Sequence, residues 1–250
     1  MQIFRLCTLL LFGAICVSAA AAELSLVSTE KQTGLLELYS SEGCSSCPPA
    51  DKWLSTFKDK PQLWQDVIPV AFHVDYWDDI GWKDRFASRE YTRRQHRYNR
   101  EKSTKAVYTP GFLYNGREWR QWFESRQLNF PAAKNTGVLQ ADISEGDIQI
   151  SFIPTEKIEG PVVINVALLG FDLATPVKAG ENRGRELHHD FVVLALEQTE
   201  LSGANNIYTG STKVPESNIN APRLGIAIWV SGANRQRPLQ AVGGWLSSEL

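Results

Sequence analysis

With 250 residues the chain has room for one large domain or two small ones, and a formal charge of −2 excludes any global attraction to nucleic acid. Sulfur is scarce, with four cysteines and one methionine, so each cysteine can be placed individually.

The N-terminus sets the compartment. Met1 to Arg5 is short and basic, Leu6 to Val17 is almost wholly apolar, and Ala20-Ala21-Ala22 offers a small-residue cleavage site before Glu23. Residues 1–22 therefore read as a signal peptide, their apolar run being shorter than the roughly 20 residues a membrane span needs. The expectation is a periplasmic or secreted protein with no stable membrane span after cleavage. Cys16 follows Ile15 rather than a small residue, a poor lipid-attachment context. Cleavage would remove Cys7 and Cys16 and leave a single pair, Cys44 and Cys47. A structural disulfide gains most by closing a long loop. Two intervening residues close almost none, so this spacing points to exchange chemistry.

After a polar lead-in, Gly34 releases a strand over Leu35 to Ser40 that carries one carboxylate, Glu37, as an edge group or a buried acid with a raised pKa. Ser41-Glu42-Gly43-Cys44-Ser45-Ser46-Cys47-Pro48-Pro49 then turns into a helix. Pro48 and Pro49 suit its first turn, where N–H groups have no intrahelical partner. Cys44 at that end would be favoured as thiolate. The helix carries Trp53, Leu54 and Phe57 between charges and ends before Pro61; Val67 to Asp75 is the next strand, completing a β-α-β unit. Tyr76 to Trp82 packs three aromatics and two acids into a loop at a strand's carboxyl end, which makes Asp75 and Trp77 candidates for a site. Lys83 to Lys105 is an Arg-rich helical stretch, read as a solvated face in an exported, near-neutral protein. Phe112 to Tyr114, Asn115-Gly116, then Glu118 to Trp122 reads as a hairpin with a type I′ turn. Pro110 at the opening of its first strand makes sense if Thr109-Pro110 is cis and leaves the Thr109 backbone free to pair.

Strand, Cys-x-x-Cys at a helix start, helix, strand, helix and Thr-Pro before a hairpin resemble the thioredoxin fold, from Gly34 to about Lys134. The longer strings Glu37 to Asp51, His73 to Asp78 and Tyr108-Thr109-Pro110 resemble more closely a family of secreted thioredoxin-like proteins of unknown function, over nearly the whole mature chain. The resemblance implies Cys44 as nucleophile, Cys47 as resolving thiol, Thr109-Pro110 as a platform that binds substrate backbone, and Glu37 as a proton relay. One extra residue separates Glu37 from Cys44, Gly43 replaces the usual Trp, and Ser45-Ser46 replaces Gly-Pro.

The second half changes character. Alternation in Ile148 to Phe152, Val162 to Leu168, Phe191 to Leu196 and Leu224 to Val230 reads as antiparallel strands. The expected architecture is thus a minimal α/β thioredoxin-like domain at residues 23–134 followed by an all-β sandwich-like domain at 135–250. Gly180 to Asp190 reads as a surface loop running into a strand, and His188 and His189, pointing to opposite faces, make a poor chelating pair.

The function expected from these features is thiol-disulfide exchange by Cys44 and Cys47, on a thiol or disulfide-bearing protein or small-molecule substrate, with a separate redox partner. It requires no cofactor, no metal and no nucleic acid. Two alternatives use the same features: a copper or zinc carrier built on both thiolates with a third ligand such as His73, and a binding or adaptor protein whose dithiol is vestigial.

Overall fold

The computed structural model describes residues 24–129 and 132–247, so the signal peptide read at residues 1–22 lies outside the described residues. In chain order the elements are β1 (Leu24–Val27), β2 (Gly34–Ser40), α1 (Pro48–Ser55), β3 (Val67–His73), α2 (Arg89–Arg100), β4 (Gly111–Tyr114), β5 (Arg117–Glu118), β6 (Gly137–Ser144), β7 (Asp147–Pro154), β8 (Val162–Phe171), β9 (Leu173–Pro176), β10 (Glu186–His189), β11 (Val192–Ala204), β12 (Ile207–Lys213), β13 (Arg223–Gly232) and β14 (Pro238–Trp245). Among the described residues no helix is long and apolar enough to cross a membrane.

The local readings of the first half mostly match. The β2-α1-β3 unit forms, with β2 and β3 parallel from Gly34↔Val67 to Ser40↔His73, and β4 adds antiparallel to β2. Both parallel strands are buried along their whole length, as expected where sheet faces are covered on both sides. Pro48 and Pro49 open α1, and Asn115 and Gly116, with φ of 48° and 68°, make the turn between β4 and β5. The second strand of that hairpin is only two residues long, and Gln121–Phe123 forms a 3-10 turn instead.

The architecture differs from an α/β thioredoxin-like domain followed by a separate β-sandwich. Twelve strands form one sheet that runs through both halves of the chain. The strand that joins them is β11, 13 residues long. Along its length it pairs antiparallel with β8; on its other edge Val192 pairs parallel with Ala71 of β3 and Ser202 to Ala204 pair with β12. From β12 the sheet continues through β7 and β6 to β1, while β8 carries β13 and β14. Among the described residues only β9 and β10 stand apart, as a two-stranded hairpin.

Side-chain alternation explains why no boundary can open here. Along β13, Ala227 and Trp229 face the core built from β2, β3, α1 and α2, whereas Ile226, Ile228 and Val230 face a second core built from β6, β7 and β8. One strand thus serves two cores. Local alternation marks the strands of the second half correctly, but it carries no information about which distant strand each will pair with.

Candidate functional site

Cys44 and Cys47 are joined as a disulfide with their Cα atoms 5.4 Å apart. Cys47 is the N-cap of α1, and Cys44 lies one turn earlier, in a loop stitched by Cys44 N–H to Ser41 O (3.2 Å) and Cys47 N–H to Cys44 O (3.2 Å). The helix opens at Pro48 and Pro49 as the sequence suggests, with Cys47 rather than Cys44 at its cap. Ser45 and Ser46 are exposed, but both cysteines have an exposure of 0 %.

Two segments from far along the chain close this loop. On one side Trp77, in the 3-10 turn Asp75–Ile80 after β3, packs so tightly that a Cβ on Gly43 would lie 2.9 Å from its Cβ. Its indole Nε1 donates to Thr109 Oγ1 (2.8 Å), and the Thr109-Pro110 bond is cis. Trp77 is the physical link between the dithiol loop and the Thr-Pro segment. Asp75 does not join it: its backbone and carboxylate are tied to Thr92 Oγ1 on α2.

On the other side stands the β9–β10 connection, largely exposed as expected of Gly180 to Asp190 but tied to the backbone of the dithiol loop. Asn182, fully buried, donates to Glu42 O (2.8 Å) and Cys44 O (3.0 Å), while its own Oδ1 accepts from Arg185 (2.9 Å). Glu181 Oε2 accepts from the Ser45 N–H (3.1 Å), and hydrogen bonding by the Ser45 side chain, then by its backbone, holds the carboxyl below the usual range. A groove of about 660 Å³ runs past this seam, lined by Ser45, Pro48, Trp53, Arg126 and Arg185 among others.

Glu37 is buried, as one of the sequence alternatives had it, but it faces away from α1. Successive strand residues point to opposite faces. Ser40 therefore looks toward α1, where it bonds Asp51 (3.0 Å), and Glu37 looks toward α2. There its carboxylate meets Arg94 (2.9 Å), Tyr98 (2.5 Å) and Tyr39 (3.2 Å). Burial alone would lower the Arg94 guanidinium, and Glu37 more than reverses that, holding it charged; burial, reinforced by Glu37, pushes both tyrosines well up. Arg94 is thus a buried partner rather than part of a solvated face.

The acid on the dithiol's helix is Asp51, and it belongs to a group that sequence reasoning left scattered. Asp51, His73 at the end of β3, and His189 at the end of β10 each offer a ligand atom within 4.8 Å of the others. Asp84 and Glu42 flank them: Asp84 Oδ2 lies 2.6 Å from His73 Nδ1, and Glu42 Oε1 lies 3.4 Å from His189 Nε2. Burial raises the Asp51 carboxyl despite both imidazoles nearby. Burial would lower His73, but Asp84, then Asp51 and Glu42, carry it up to about 9, and His73 in turn outweighs burial to hold Asp84 low. His188 and His189 do point to opposite faces, one exposed and one buried. No local signal says which of the two looks toward α1.

A family model described as a protein of unknown function, DUF1223, matches residues 35–231. No curated protein matches the chain. A crystal structure of a protein from Agrobacterium tumefaciens is 25% identical, with a TM-score of 0.57 over 88% of this chain and 96% of the other. A structure of HBP35 of Porphyromonas gingivalis, 15% identical, shares the fold at a TM-score of 0.57 over 88% of this chain and 77% of its own.

Proposed function

The chain belongs to the DUF1223 family, whose function is unknown, and from that premise we propose that it is an exported thiol-disulfide exchange protein acting through Cys44 and Cys47. The observation that carries this reading is the placement of a disulfide with a two-residue spacer at the start of α1, joined through Trp77 to Thr109 beside a cis proline. A bond across so short a loop adds little to stability and is suited to being opened and closed. The kinship with Cys-x-x-Cys proteins of the thioredoxin superfamily is part of this proposal and concerns the dithiol and the Thr-Pro segment, not the architecture.

In the reduced protein the Cys44 thiolate attacks one sulfur of a substrate disulfide. A Cys44–substrate bond forms, the substrate S–S bond breaks, and the departing sulfur leaves as thiolate. Cys47, as thiolate, then attacks Cys44, restoring the Cys44–Cys47 bond and releasing the second substrate thiolate. Two electrons have passed to the substrate. A thiol-bearing partner returns them by the same steps reversed. An extended substrate segment lies in the groove lined by Ser45, Pro48, Trp53 and Arg126. Glu37 plays no part in proton transfer in this scheme, because its lone pairs are occupied by Arg94, Tyr98 and Tyr39 on the opposite face of β2.

The test is covalent trapping. Cys47→Ala leaves an attacking sulfur with nothing to resolve it, so a mixed disulfide with a model disulfide substrate accumulates at Cys44 and disappears in Cys44→Ser. A Cys47→Ala protein that is folded, reduced and traps nothing overturns the proposal.

A further inference from the structure

Three carboxylates and two imidazoles are buried beneath the dithiol: Glu42, Asp51, His73, Asp84 and His189 are between 0 % and 6 % exposed. Among the described residues no lysine or arginine forms an ion pair with any of them. Buried charge without a counter-charge is costly and calls for protons or a cation. The hydrogen bonding is also incomplete. His73 Nε2, both ring nitrogens of His189 and Glu42 Oε1 have no hydrogen-bond partner, although each is sealed from solvent. Buried polar atoms of that kind are rare in native proteins and mark either strain or a missing ligand.

The gaps have a pattern. His73 uses Nδ1 on Asp84 and leaves Nε2 without a hydrogen bond, while Asp51 and His189 each place a ligand atom within 4.8 Å of one of its own. His189 has Nε2 beside Glu42 (3.4 Å) and Nδ1 beside Asp51 Oδ2 (3.9 Å). Each imidazole therefore has a carboxylate at one nitrogen and no hydrogen bond at the other. Metal-ligating histidines show this arrangement, the rear carboxylate fixing tautomer and ring orientation. The outer groups are themselves held: Trp82 Nε1 donates to Glu42 Oε2 (2.8 Å), and Asp84 accepts from the backbone N–H of Glu42 (2.9 Å) and of Phe86 (2.9 Å).

We propose that Asp51, His73 and His189 are the protein ligands of a divalent transition-metal ion, with Asp84 and Glu42 as the outer carboxylates that orient the two histidines. Two imidazoles and one carboxylate suit zinc or ferrous iron, and three protein ligands leave a coordination position open. The site uses neither thiolate, so it is distinct from a carrier built on Cys44 and Cys47, and it stands independently of the exchange chemistry. Its ligands come from α1, β3 and β10, so the ion would also pin the hairpin whose connection is hydrogen-bonded to the dithiol loop.

The experiment uses untagged, disulfide-intact protein stripped with chelator, desalted, and titrated with Zn²⁺ by calorimetry and with Co²⁺ by absorption. One ion per chain is expected. The cobalt spectrum should show ligand-field bands without thiolate-to-metal charge transfer, and binding should be unchanged in the Cys44→Ser/Cys47→Ser double variant. His189→Gln and Asp51→Asn should each weaken binding at least about 100-fold, and Glu42→Gln about 10-fold. Should the inner variants not fold, wild-type stoichiometry and the cobalt spectrum decide alone. Folded wild-type protein that takes up no stoichiometric ion overturns the proposal. So does binding that is lost with the cysteines but survives in His189→Gln.

Discussion

Asn182 is the place to test whether the β9–β10 connection controls access to the disulfide. Asn182→Ala removes three hydrogen bonds, of which two cross the seam to Glu42 O and Cys44 O and one joins Arg185 within the connection itself, and it keeps the backbone that carries Glu181 to Ser45. Each neutral bond contributes about 1 kcal/mol, so the closed seam loses about 2 kcal/mol relative to the open one. At 1.4 kcal/mol per factor of ten, the open population rises about 30-fold. Because both sulfurs have an exposure of 0 % in the closed form, reduction by excess dithiothreitol proceeds through the open form, and its rate should rise by the same factor. The assay is quenched alkylation with mass detection of free Cys44 and Cys47, alongside urea unfolding to subtract any contribution from globally unfolded protein. A rate within twofold of wild type, in a protein of unchanged global stability, would refute the idea that this seam limits access.

The other expectations concern the surroundings of the disulfide. Arg94→Leu leaves Glu37 buried and unpaired at a cost of about 3–5 kcal/mol, which for a chain of this size lowers the melting temperature by about 10 °C. Glu37→Gln should leave the pH profile of Cys44 alkylation unmoved; a displaced profile would restore Glu37 as a proton relay. Gly43→Ala forces Trp77 off the loop and should cost about 1–3 kcal/mol, read as a lower urea midpoint with altered Trp fluorescence. Trp229→Ala, at the largest fully buried side chain, should cost about 3–5 kcal/mol. Calorimetry should show one transition moving as a whole; two separated transitions would mean that the cores melt independently.

What was legible in the sequence was whatever a short window decides. Apolar alternation and turn chemistry gave β2, β3, the Asn115-Gly116 hairpin and the strands of the second half, and the proline pair gave the start of α1. Long-range pairing left no such mark. That β3 would acquire β11 as its second neighbour depends on 13 residues far downstream, and nothing within Val67 to His73 announces it. The same holds for the site. Cys44, Cys47 and Thr109-Pro110 stood out by residue type, and Glu37 by being an acid in an apolar strand. Glu37's face, however, is set by strand parity and by Arg94, one of many arginines in α2 and the one that is buried. Asp51 looked unremarkable, and His73 stood out only as a third ligand to the two thiolates, because their companion His189 arrives on a hairpin whose own sequence reads as solvent-facing.

Since β11 gives its first residue to β3 and its last three to β12, neither half of the molecule owns it. A ribosome releases β2 and β3 long before residue 192 emerges, so the sheet beneath the dithiol waits, with the apolar edge of β3 bare, until late in synthesis. Bare edges of this kind recruit other chains. A nascent chain held back in this way depends on whatever shields it in the interval, and a gene fragment ending near residue 134 would carry that exposed edge permanently.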